Sequence, residues 1–218
     1  MVDRVSAEIS RPTLRSRALP VHVQVPALDE AVYVCRKGFH AINVQAVCDA
    51  QLRFTNIIVQ WPGSTHDSHI FNNCNLKRHL EEGKYDIWLL GDSGKVHVCP
   101  SYLYPTSWPL SNEKEEKYNR CHIGTRYSVE RATQQIFNSC FNLLMCLHKS
   151  TGCLLFSPEK SIKIITACFQ LHNLAILLRL PEPDVLCETP GPEVDSSPAD
   201  NHNMDGCRVR GNLINTRF

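Results

Sequence analysis

No hydrophobic run in this 218-residue chain is long enough to cross a membrane. The nearest candidate, Ile162 to Leu180, is interrupted by Lys163, Gln170, His172, Asn173 and Arg179, short of the roughly 18 apolar residues that a span requires. Met1 to Ser10 carries Asp3, Arg4 and Glu8 and lacks the apolar stretch of a secretory signal peptide. An excess charge of one sign is also missing. With 23 Lys and Arg against 22 Asp and Glu the formal charge is +1, so there is no global basic field, and any affinity for nucleic acid must come from local patches. Cys-x-x-Cys pairs are absent, as are His pairs with three to five residues between them, which argues against structural zinc despite Cys99, Cys121 and His122. The eleven cysteines are an odd number, which argues against a complete disulfide framework. They fit a reducing compartment in which thiols serve as small core residues. No internal repeat is present.

What remains is the composition of a soluble globular protein, 43% hydrophobic and 21% charged, long enough for one sizeable core. Residues 1–20 are polar and arginine-rich, with Arg4, Arg11, Arg15 and Arg17 around Pro12, and read as a disordered basic arm. Residues 21–180 read as the folded domain. Val21–Val25 is expected to be its first strand, and Ala41–Ala50 with Leu52–Gln60 a β-hairpin rich in Val, Ile, Phe and Thr. Within the hairpin, Asn43 and Gln45 fall on one face and Val44 and Ala46 on the other. Pro62-Gly63 ends the second strand, Ser68 to Glu82 has helical spacing, and Ile87–Leu90 is a further strand. A helix capped near Ser111 or Asn112 is expected to break at Gly124 and be followed by a second one through about Cys146. Ser157-Pro158 opens the last helix as N-cap and N1 proline. Its expected buried stripe is Ile164, Ile165, Cys168, Leu171, Ala175 and Leu178, with His172 and Asn173 as packing and capping groups. Residues 181–218 are rich in Pro, Asp, Glu, Ser and Asn and read as a disordered tail whose removal should leave stability almost unchanged.

Three acids stand at element boundaries. Asp67 follows Trp61-Pro62-Gly63-Ser64-Thr65-His66, where a strand hands over to a helix, and Asp92 follows the apolar run Ile87 to Leu90. Glu130 lies in the helical Arg126-Tyr127-Ser128-Val129-Glu130-Arg131. Carboxylates projected from rigid elements are what hard cations such as Mg²⁺ recruit. Each acid also fits a plainer use: Asp67 as a helix cap, Asp92 as a turn residue beside glycine, and Glu130 as the i,i+4 partner of Arg126.

The order of these blocks resembles the DDE-type transposase fold, and more closely the Harbinger transposase-derived nucleases. The blocks are Tyr33-Val34-Cys35-Arg36-Lys37-Gly38-Phe39-His40-Ala41-Ile42-Asn43-Val44-Gln45, then Trp61 to Ser68, then Leu89-Leu90-Gly91-Asp92-Ser93-Gly94. Lys117-Tyr118-Asn119-Arg120-Cys121-His122, Val129-Glu130-Arg131, Ser157-Pro158-Glu159-Lys160 and Leu171-His172-Asn173 follow in sequence. The resemblance implies an α/β, RNase H-like core with a mixed sheet flanked by helices, and hydrolysis of DNA phosphodiesters with Mg²⁺ or Mn²⁺ as cofactor. By matching positions Asp67, Asp92 and Glu130 would be the catalytic, metal-binding acids. The resemblance further implies a nuclear location and a Myb-like DNA-binding partner protein.

Two departures bear on that expectation. The family's first strand carries an aspartate three residues before a histidine; His22 matches the histidine, and Leu19 stands where the aspartate should be. The first-strand region therefore reads as incomplete, as in a splice variant or truncated form, with cleavage weakened. The alternative is a catalytically inactive isoform acting as a nuclear protein- or DNA-binding module. After Glu130-Arg131 the basic residues that the family places next are replaced, with Asn138 and Asn142 at those positions, which weakens DNA contact on this face.

Overall fold

A computed structural model describes residues 13–25, 30–91, 102–103, 112–136, 153–181 and 204–217. Five strands form one mixed sheet in the order β3-β2-β1-β4-β5. The strands are β1 (Thr13–His22), β2 (Ala41–Cys48), β3 (Phe54–Pro62), β4 (Trp88–Leu90) and β5 (Tyr102–Leu103). The helices are α1 (Glu30–Tyr33), α2 (Asp67–Asn72), α3 (Asn75–Glu81), α4 (Glu113–Ile136), α5 (Pro158–Leu177) and α6 (Met204–Arg217). β2 runs antiparallel to both β1 and β3, whereas β4 runs parallel to β1 and β5 parallel to β4. This α/β mixed sheet flanked by helices is the arrangement expected of an RNase H-like DDE nuclease.

The largest departure from the sequence reading is at the start of the chain. Residues 13–20, read above as a disordered arm, are the body of β1, the central strand. Of the expected strand at Val21–Val25 only Val21 and His22 belong to β1, as its far end, and Val23 makes an isolated bridge to Leu154; the first strand is ten residues long and not incomplete in length. Arg15 can enter the sheet because its charge is solvated by peptide oxygens: it is 2% exposed, donating from Nε to the Thr125 carbonyl at 3.3 Å and from Nη1 to the Thr13 carbonyl at 3.0 Å. Pro20 is tolerated in a central strand because β4 pairs with β1 only over Thr13–Arg15. At the level of Pro20 one flank of β1 carries no ladder among the described residues, and a missing N–H costs least there.

Alternation along the strands gives each face its own core. Leu19, Val21, Ile42, Val44, Ala46 and Cys48 pack with Val129, Ala132 and Ile136 of α4 and Ile165, Cys168 and Phe169 of α5. On the other face Val47 and Leu89 pack with Phe71 of α2 and Leu76 and Leu80 of α3. The expected helix over Ser68 to Glu82 is thus two, α2 and α3, with the Cys74 thiol accepting from the Lys77 N–H at the second N-terminus.

The hairpin forms as read. Its turn is held by Asp49 Oδ1, which accepts from the Gln51 and Arg53 N–H groups at 2.8 and 3.0 Å. Gly63 ends β3 because no side chain fits there: a Cβ would lie 2.5 Å from the Tyr33 carbonyl oxygen and 2.9 Å from that of Ala41. Gly124 does not break α4, which runs unbroken for 24 residues; a single glycine costs about 1 kcal/mol against alanine, less than the packing of the helix supplies. The expected continuation toward Cys146 lies outside the described residues.

Ser157 caps α5 and Pro158 sits in its first turn, as expected. The buried stripe is rotated from the expected one: Ser161, Ile165, Cys168, Phe169 and His172 face inward, while Leu171 and Leu178 are exposed. The tail is corrected in part. Residues 204–217 form α6, which places Val209 and Leu213 against Trp88, Leu90 and Leu103, with Ile214 4% exposed. Lys114 Nζ also donates to the Asn215 carbonyl at 3.0 Å.

Candidate nuclease site

Asp67 is the first residue of α2, preceded by His66, whose side chain makes no capping bond to the helix. His66 Nδ1 instead lies 3.1 Å from the Ser68 hydroxyl. The Asp67 carboxylate is exposed, and its Oδ1 accepts from Asn43 Nδ2 at 2.9 Å. The same amide donates to the Thr65 carbonyl at 3.0 Å, so one buried side chain on β2 fixes both the turn after β3 and the entry to α2. By parity Asn43 belongs with Gln45 and Val47, on the face covered by α2 and α3.

Glu130 lies on the opposite face. It is on α4 next to Val129, which packs on Leu19 and Val44. Its Oε1 is 3.5 Å from Arg17 Nη1 on β1 and 3.4 Å from Arg126 Nη2 one helical turn earlier. The structure ties Asp67 to Asn43 and Glu130 to two guanidiniums. Asp92, the third expected acid, lies outside the described residues. Leu90, two positions before it, packs with Cys121 of α4, on the face that carries Glu130.

Leu19 does not face a polar site. It is 6% exposed within the apolar core between β2 and α4. The residue on β1 that meets Glu130 is Arg17, on the same strand face two positions earlier. Sequence reading passed over Arg17 because it assigned residues 1–20 to an arm. The available signal was the alternation of Arg15, Arg17, Leu19 and Val21, which is recognisable only once the segment is taken as a strand.

Asp67 and Glu130 are the expected acids among the described residues, and each already has a partner within the chain. Among the described residues no group of three His, Cys, Asp or Glu side chains could hold a metal ion. Two unit positive charges about 4 Å apart repel by about 4 kcal/mol at an effective dielectric constant near 20, and a dication doubles the figure. A metal reaching Glu130 would meet that opposition from Arg17 and Arg126.

Sequence comparison decides the family. Residues 18–173 match the DDE superfamily endonuclease family. The chain belongs to this family. Similar proteins include "Putative nuclease HARBI1" of Mus musculus, 33% identical over 205 residues, covering 91% of this chain and 56% of that protein. The Homo sapiens protein of the same name is 34% identical over 157 residues, 72% of this chain and 43% of its own length. "Protein ALP1-like" of Arabidopsis thaliana is 22% identical over 172 residues, covering 71% of this chain and 40% of that protein. The chain spans about half the length of the mouse relative. No solved structure matches it. Within this DDE endonuclease domain, β1 carries a cation beside Glu130 and an apolar residue at the position where the resemblance calls for an acid.

Proposed function

We propose that this chain is a transposase-derived nuclease domain directed at DNA phosphodiesters, with the hydrolytic step weakened. Membership of the DDE endonuclease family over residues 18–173 supports the reaction class. The observation that carries the weakening is the contact of Glu130 Oε1 with Arg17 and Arg126. Chemistry of this class uses Mg²⁺ or Mn²⁺, and two dications need anionic ligands to hold them together. Asp92 and Glu130 are the acids assigned to that role here. Asp67 is assigned instead to anchoring α2 through Asn43.

The test is nicking of supercoiled DNA in Mg²⁺ or Mn²⁺, with the mouse relative as reference. Losing one electrostatic contributor to a phosphoryl-transfer-like transition state typically costs about 100-fold or more, so cleavage at least that much slower is expected. Robust cleavage by the unmodified chain, lost in both Asp92→Asn and Glu130→Gln, would overturn the weakening.

A second reading, an inactive nuclear module that contacts DNA or a Myb-like partner protein, is favoured by the exposure of Arg17, whose side chain is 36% accessible. It predicts DNA affinity without cleavage, falling steeply with salt as phosphate contacts release counter-ions, and nuclear accumulation of a fluorescent fusion.

A further inference from the structure

We infer that the Arg17 guanidinium is a built-in counter-ion standing in the place of a divalent cation at Glu130, so that this chain keeps the position closed to metal. The inference rests on the reading that Glu130 belongs to the nuclease site, but its test does not require DNA cleavage.

Three observations carry it. Strand alternation puts Arg17 on the α4 face, between Arg15 and Leu19, and its cross-strand neighbour Ala46 is too small to intervene. Arg17 Nη1 lies 3.5 Å from Glu130 Oε1, the oxygen that Arg126 also approaches at 3.4 Å. The first-strand position that the family gives to an acid is spent here on Leu19, which is buried in the core and offers Glu130 nothing. Glu130 therefore has its charge balanced from within the chain, by residues of β1 and its own helix. In an acid-lined site the same carboxylate would be balanced by a bound dication.

Of Arg15, Arg17 and Arg126, Arg17 is the one that can be changed with least structural consequence. Arg15 is 2% exposed and bonded to two carbonyl oxygens. The Arg126 side chain is 14% exposed and that of Arg17 36%. A half-exposed ion pair of this kind contributes little to stability, so Arg17 variants should fold. Arg17→Asp would turn a repelling cation into a second carboxylate facing Glu130; Arg17→Lys would keep the charge.

Mn²⁺ alone is the probe, titrated into the full chain and followed by calorimetry and by the loss of the free-ion paramagnetic resonance signal. Far-UV circular dichroism and melting temperature check that each variant is folded. Wild type and Arg17→Lys are expected to show no Glu130-dependent site below millimolar Mn²⁺. Arg17→Asp is expected to bind at least tenfold more tightly, and the added Glu130→Gln change to abolish the gain. Should Arg17→Asp fail to fold, Arg17→Gln gives the same direction with a smaller gain. Wild-type binding as tight as that of the folded variant and lost in Glu130→Gln, or no gain in either folded variant, overturns the inference. A variant that gains Mn²⁺ yet cleaves no DNA supports the counter-ion role and sinks the nuclease reading instead.

Discussion

At the scale of single residues, the position of Leu19 separates sequence matching from function. The motif assigns it the place of an acid, and restoring Leu19→Asp looks like the natural repair. The structure makes that a damaging change, because the carboxylate would enter the apolar core beside Val129 and Ala132. Lost burial and the desolvation of a charge should together cost about 3 kcal/mol or more. Urea midpoints would show this, and a stable Leu19→Asp chain would mean that β1 can slide in register. Cys48 makes a second residue-scale case. Burial pushes its thiol from 9.0 up to about 12, against a smaller downward pull from nearby Arg15. A raised folded-state value means that the neutral thiol favours the native state: its contribution is complete below pH 9 and is lost as the pH climbs toward 12. The fall in melting temperature over that window should shrink in Cys48→Ala, and iodoacetamide at pH 8 should label Cys48 only in unfolded protein.

Elements were legible where local chemistry decides them. The β2–β3 hairpin shows in its β-branched alternation, and the start of α5 shows in Ser157-Pro158. The use of Asn173 as a packing or capping group was also readable, though not its partner. Asn173 Oδ1 accepts from the Phe54 N–H at 2.8 Å and Nδ2 donates to the Phe54 carbonyl at 2.8 Å. The side-chain amide thus extends the ladder at the start of edge strand β3, as a neighbouring peptide would. Beside it His172 Nε2 lies 3.0 Å from the Leu52 carbonyl, over a residue whose φ is +65°. Asn173→Leu should leave two backbone groups without partners and cost about 2 kcal/mol or more. Hydrogen exchange should quicken first at Phe54; unchanged exchange there would sink the role. β1 and α6 were illegible for a common reason. The buried Arg15 is reconciled by a carbonyl 110 residues away, and α6 lays Val209 and Leu213 on strands far earlier in the chain. Neither segment announces its partner locally. The site fared likewise: Glu130 stood out as an acid, while the arginine facing it lay in the segment taken for an arm.

For the whole molecule, the C-terminal helix changes what the tail is for. A chain ending at Asn203 would uncover Trp88, Leu90 and Leu103, which Val209 and Leu213 now cover. Each uncovered large apolar side chain is worth about 1.5–3 kcal/mol before the entropy of ordering the helix is set against it. In a protein of this size 1 kcal/mol moves the melting temperature by about 2–4 °C, so a fall of about 4 °C or more is expected. No change on truncation would show that α6 rests on the domain without supporting it.

The central place of β1 also governs the order in which the chain can acquire its shape. Thr13–His22 is made before β2, β4 and α4, yet it pairs with β2, then β4, and is buried under α4. Until those arrive it is an unpaired strand with its apolar residues uncovered. The β2–β3 hairpin, closed by a short turn, can form early and recruit β1 on one flank; the other flank waits for Trp88–Leu90. Such distant pairings are slow to close, so the nascent chain is expected to lean on holding chaperones until α4 has emerged.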